Sequence, residues 1–77
     1  MRIEYTDYAE MKTAKRELSK TDIENTLENP DKLLEGKDGR KIAQKIIGKY
    51  LLRVVFEEHQ SIYKVITVYY SKSERYG

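Results

Sequence analysis

The sequence predicts an α+β fold: two N-terminal helices packed on a three- or four-stranded antiparallel sheet. Three observations carry this. Apolar residues recur at helical spacing before Pro30 and in strand-like runs after Gly39. Asn29-Pro30 and Gly36-Lys37-Asp38-Gly39 punctuate the change. The later runs are joined by Gly48-Lys49 and by Glu58-His59-Gln60-Ser61, connections too short for a parallel crossover.

The elements follow in order. Arg2 to Thr6 alternates, with Ile3 and Tyr5 on one side, and predicts a short strand or an extended arm across residues 1–6. Thr6 or Asp7 can cap a helix by accepting a hydrogen bond from a free backbone N–H. Tyr8, Met11, Lys12, Lys15 and Leu18 then recur at helical spacing, which predicts a helix from about Asp7 to Glu17. A second helix starts near Ser19, where Ser19-Lys20-Thr21-Asp22 and Thr21-Asp22-Ile23-Glu24 both offer the capping-box pattern. Ile23 and Leu27 form its apolar stripe, and Asn29-Pro30 ends it because the residue before proline is pushed out of the helical region. Leu33-Leu34 reads as a short apolar segment under a loop. Three strands follow, Arg40 to Ile47, Tyr50 to Glu58 and Ile62 to Ser71, the last β-branched and aromatic throughout. The tail 72–77 is expected to fray.

A chain of 77 residues holds one domain and one modest core, burying only ~60% of its unfolded surface. There is no cysteine and one histidine, His59, which excludes disulfides and a His/Cys metal cage. No cofactor is expected. The longest apolar runs are a few residues, so no leader or membrane span is expected and cytoplasmic residence is the default. Charge is unevenly spread. Residues 1–38 carry seven basic against ten acidic side chains, net −3; residues 39–77 carry eight against three, net +5. A basic sheet half can attract phosphate; a solvated lysine-bearing edge is the plainer account.

Strand parity suggests where that charge lies. Leu52, Val54, Phe56, Ile66 and Val68 form the more apolar set and are expected to face the helices with Ile23 and Leu27. The other face would gather Lys41, Lys45, Arg53, Thr67 and Tyr69. Basic side chains there could hold a scissile phosphate, and an aromatic could stack on a base. A half-solvated basic face, or one covered by a partner, is the competing account. Other candidates are weaker. Gly36 and Gly39 flank a plain turn with no helix after it, so no phosphate loop is expected. His59 falls in a predicted hairpin turn, a poor place for an oriented base. Glu57 and Glu58 are adjacent on a strand and point to opposite faces.

Across roughly residues 5–71 the chain resembles the domain of unknown function 4258 family. The resemblance rests on Ala9, Arg16, Ser19, Asp22, Ile23, Leu27, Asn29-Pro30, Gly39-Arg40, Leu52-Arg53-Val54-Val55 and Val65-Ile66-Thr67-Val68-Tyr69. Tyr8 stands where the family usually has histidine, and Glu17-Leu18 stands for its Gly-Ile step. If that histidine is catalytic, this chain could have lost the activity. The helix–helix–sheet order is also similar to the RelE/ParE toxins and the related BrnT toxins. Toxins of the RelE kind cut messenger RNA with basic and aromatic residues and without a metal. That resemblance implies catalytic roles for Lys45, Arg53 and Tyr69, with Arg40, Lys41, Tyr70, Lys72 and Arg75 contacting nucleic acid. The implied partners are RNA or the ribosome and an antitoxin-like protein. The alternative function is a non-catalytic protein-interaction module.

Overall fold

The computed structural model of the chain describes residues 2–72, with side chains through residue 71. Its elements are β1 (Arg2–Tyr5), α1 (Asp7–Lys15), α2 (Lys20–Glu28), β2 (Lys32–Glu35), β3 (Lys41–Ile47), β4 (Tyr50–His59) and β5 (Ile62–Lys72). The strands form one five-stranded sheet in the order β1-β5-β4-β3-β2. The fold is α+β, but the sheet is larger than the three or four strands expected and is mixed: β1 runs parallel to β5. Arg2–Tyr5 pairs with residues sixty positions later, a contact that no local pattern reports.

Each helix begins at a side-chain cap. Thr6 Oγ1 accepts from the Ala9 N–H at 3.0 Å and starts α1. Ser19 Oγ accepts from the Asp22 N–H at 3.4 Å and starts α2. The first helix stops at Lys15, two residues before the expected end, because Glu17 turns left-handed at φ 53°. Leu33-Leu34 does not lie under a loop. It belongs to β2, which forms a hairpin with β3 through a turn in which Asp38 (φ 58°) and Gly39 (φ 77°) both adopt positive φ. That turn is closed by Arg40 N–H donating to Lys37 O at 3.1 Å.

Both helices pack on the same face of the sheet. Ala9, Leu18, Ile23 and Leu27 form one core with Ala43, Leu52, Val54, Phe56, Val65 and Val68. Two threonines are buried among them. Thr13 Oγ1 donates to Ala9 O at 2.7 Å and Thr26 Oγ1 to Asp22 O at 2.8 Å, so each hydroxyl is satisfied within its own helix. The strand parity expected for β5 is broken by a bulge. Phe56 pairs with Val65 while Val55 pairs with Thr67, which leaves Ile66 as the extra residue. Val65 therefore enters the core with Val68, and Ile66 is only half-buried, not a core residue as expected. Among the described residues no helix is long and apolar enough to cross a membrane.

Candidate functional site on the open sheet face

Paired residues of neighbouring strands project from the same face. The register therefore sorts every candidate. Ala43 lies opposite Val54 and Lys45 opposite Leu52, so the odd-numbered residues of β3 share the helix face with the core. Among the described residues the opposite face carries no helix. Across its middle runs one row: Lys32 on β2, Gln44 on β3, Arg53 on β4 and Tyr69 on β5, each paired with the next. The Arg53 guanidinium lies 5.6 Å from the centre of the Tyr69 ring, within cation–π range. On one side the row is flanked by Leu34, Ile42, Val55 and Thr67, and on the other by Ile46, Leu51 and Ser71. Gln44 is buried within this face although no helix covers it, and among the described residues its Oε1 accepts no hydrogen bond.

A second polar group stands further along the same face. Glu57 is four residues beyond Arg53 on β4, about 13 Å at the rise of an extended strand. Its carboxylate is held from two sides. His59 Nε2 lies 3.0 Å from Oε1, and Arg40 Nε donates to Oε2 at 3.1 Å. His59 first, then Arg40, keeps the Glu57 carboxyl below the usual carboxylate range. Lys64 pairs with Glu57 from β5, and Glu4 pairs with Lys64 from β1.

The register divides the residues expected to act together. Arg53 and Tyr69 share the open face, with Thr67 in the flanking row. Lys45 and Lys41 do not: they lie on the helix side, contrary to the shared parity expected of them. The expectation aligned Ile42, Gln44 and Ile46 with Leu52 and Val54, whereas the Gly48-Lys49 hairpin sets Ala43 and Lys45 against them. The Lys45 ammonium donates to Asn29 O at 2.9 Å and lies 3.6 Å from Asp31 Oδ1. It ties the end of α2 to the entry of β2. Lys41 reaches Glu58 at 3.3 Å. Tyr70 also faces the helices, its ring 5.6 Å from that of Tyr50. Burial first, then the nearby charge of Asp22, pushes its phenol above the usual range. Arg40, named for nucleic-acid contact, does reach the open face through Glu57. Arg75 and the side chain of Lys72 lie outside the described residues.

The family model described as Domain of unknown function (DUF4258) matches residues 5–70. The chain belongs to that family. No curated protein and no solved structure matches it.

Tyr8 and Glu17 are the two positions at which the resemblance departs. Tyr8 is half-exposed on α1, in the layer that packs on the helix face, with the Lys12 ammonium 5.4 Å from its ring centre. The position where the resemblance puts a histidine is thus across the sheet from Arg53 and Tyr69. Restoring that histidine would not complete the open-face row. Glu17, where the resemblance puts a glycine, is left-handed at φ 53°, a conformation that glycine takes without strain.

Two features of the face were missed in the sequence. Lys32 joins the row only through β2, where the sequence suggests a loop, and Gln44 joins it because the β3–β4 register sets it opposite Arg53 and not on the helix face. Glu57 and His59 stand together on the face, although in the sequence Glu57 reads with its neighbour Glu58 and His59 reads as a turn residue. The available signal was their spacing of two within one strand, which puts both on the same face. His59 closes β4, and the turn itself is Gln60-Ser61, with Gln60 at φ 58°.

Proposed function

We propose that the open sheet face binds single-stranded RNA, and that the protein acts as an RNA-binding domain or metal-independent endoribonuclease of the RelE-like toxin type. The supporting observation is the row Lys32–Gln44–Arg53–Tyr69, which crosses four strands on a face that no helix of the described residues covers. Lys32 and Arg53 supply positive charge for the phosphates. Tyr69 offers a π-face on which a base can stack, and such stacking tolerates any base. Arg40, Arg2 and Lys64 add basic side chains toward the far end of the same face. The helix pair against one face of the sheet is in keeping with a RelE-like arrangement. Such a function has its substrate in the cytoplasm, on ribosomes, and its natural regulator would be an antitoxin-like protein.

The site used is smaller than the one the sequence suggested. Arg53 and Tyr69 remain as contacts, while Lys45 is occupied in closing the α2–β2 connection. The test is affinity for a labelled single-stranded RNA at several salt concentrations. The expected result is binding that weakens linearly on a log–log salt plot, as released counterions require. Absence of salt-dependent binding would favour the second reading, a protein-interaction module. That reading draws on Ile46, 55% exposed on the same face, and on the half-buried Leu34, Ile42 and Val55 around the row.

A further inference from the structure

We propose that His59 is the general base of an RNA-cleaving site at the β4–β5 end of the open face, with Glu57 as its positioning residue. This rests on the reading of that face as an RNA-binding surface and deepens it. The geometry has three parts. First, Glu57 Oε1 lies 3.0 Å from His59 Nε2, an arrangement in which the ring donates to the carboxylate through Nε2. That contact fixes the tautomer in which Nδ1 carries the lone pair. Second, Arg40 holds the other carboxylate oxygen at 3.1 Å, so the carboxylate is itself anchored. Third, the imidazole remains open to solvent, with 63% of its side chain exposed against 26% for Glu57. An anchored carboxylate, an oriented ring and an accessible ring nitrogen are the parts a base needs.

The surroundings suit a phosphodiester. Across the strands from the pair stand Lys64, opposite Glu57, and Ile62, opposite His59. Beyond them on β1 stand Glu4, opposite Lys64, and Arg2, opposite Ile62. Lys64 stands one strand over and Arg2, paired with Glu4 at 3.5 Å, two strands over, and Arg53 lies six residues back along β4, about 20 Å from His59, to hold the same strand. The reaction this supports is transesterification. The ribose 2′-hydroxyl gives its proton to His59 Nδ1, and its oxygen forms a bond to the adjacent phosphorus. The bond from phosphorus to the 5′-oxygen breaks, and that oxygen takes a proton from water. The products are a 2′,3′-cyclic phosphate and a 5′-hydroxyl, and the imidazolium returns its proton to solvent.

The experiment uses a short labelled RNA, the purified chain and excess chelator, with binding and cleavage read in parallel. The expected result is cleavage to 2′,3′-cyclic phosphate ends, with the all-deoxy oligonucleotide bound but intact. His59→Ala should lower cleavage by on the order of 10²-fold or more, as for loss of a positioned base, without changing RNA affinity. Added imidazole should restore part of the rate. Glu57→Gln should keep binding and move the acidic limb of the pH–rate profile, which a purely structural role would leave in place. A His59→Ala protein that cuts like the parent overturns the proposal. So does a parent protein that binds RNA but leaves it whole, free or on ribosomes; the binding reading then stands alone. A parent that binds no RNA removes both.

Discussion

At the scale of single residues, Glu17 and Tyr5 show most directly how local chemistry is set. Glu17 sits at φ 53°, a conformation that costs a side-chain-bearing residue roughly 1–2 kcal/mol. Glycine removes that strain but gives back about 0.5–1 kcal/mol through the greater freedom of its unfolded chain. Glu17→Gly is therefore expected to stabilise the protein by roughly 0.5–1 kcal/mol, measured as a shift in the denaturation midpoint at constant slope. Tyr5 has the opposite character. Its ring packs against the core under the Lys20 ammonium, which lies 4.7 Å from the ring centre. Burial first, then the charges of Glu24 and Glu10, pushes its phenol from 10.0 up to about 12. Because the folded value is the higher one, the neutral phenol contributes fully below pH 10 and that contribution is lost as pH rises through about 12. The melting temperature of Tyr5→Phe should therefore fall less steeply than that of the parent across this range. Parallel slopes for the two proteins would show that Tyr5 does not couple folding to alkaline pH.

At the scale of elements, Thr6 joins three of them. Its hydroxyl caps α1 through the Ala9 N–H and also donates to Ile66 O at 3.1 Å, the carbonyl of the bulge residue in β5. Its own N–H donates to Val65 O at 3.0 Å and continues the β1–β5 pairing. The end of β1, the start of α1 and the bulge are thus fixed by one side chain. Thr6→Ala is expected to cost about 1–2 kcal/mol, the upper part of the range for a lost cap because a carbonyl partner is lost too. Thr6→Ser should recover most of this, and the pair can be compared by urea denaturation. Local signals made much of this level legible. The caps at Thr6 and Ser19, the stop at Asn29-Pro30 and the Gly48-Lys49 hairpin are written in residues within a few positions of where they act. What was not legible depends on distant partners. The parallel pairing of β1 joins the first strand to the start of the last, and the bulge at Ile66 exists only relative to β4. A four-residue strand such as β2, with two adjacent leucines, has no alternation to announce it.

At the scale of the whole molecule, the deciding property is which side of the sheet each charge occupies. The β3–β4 register puts Lys45 and Lys41 on the helix side, and because strand side chains alternate a shift of one residue would exchange the faces. The structure turns this into a separation of roles. Lys45 bonds Asn29 O and stands beside Asp31, which itself accepts from the Ile46 N–H at 2.8 Å, so this lysine serves the joint between α2 and β2. Arg53 stands in the open row beside Tyr69 and Gln44. If the open face takes RNA, the two substitutions should differ in kind. Lys45→Ala should lower stability modestly, by roughly 1 kcal/mol for a hydrogen bond from a half-exposed ammonium, and leave RNA affinity and its salt slope unchanged. Arg53→Gln should weaken RNA binding and reduce the salt slope by about 1, one phosphate contact fewer. Tyr69→Ala should weaken binding by roughly 1–3 kcal/mol per stacked base while keeping the slope. These are read by fluorescence anisotropy across a salt series, with melting curves on the same samples. If Lys45→Ala lowered the salt slope and Arg53→Gln did not, the RNA would lie on the helix side, and the open row would no longer be the site.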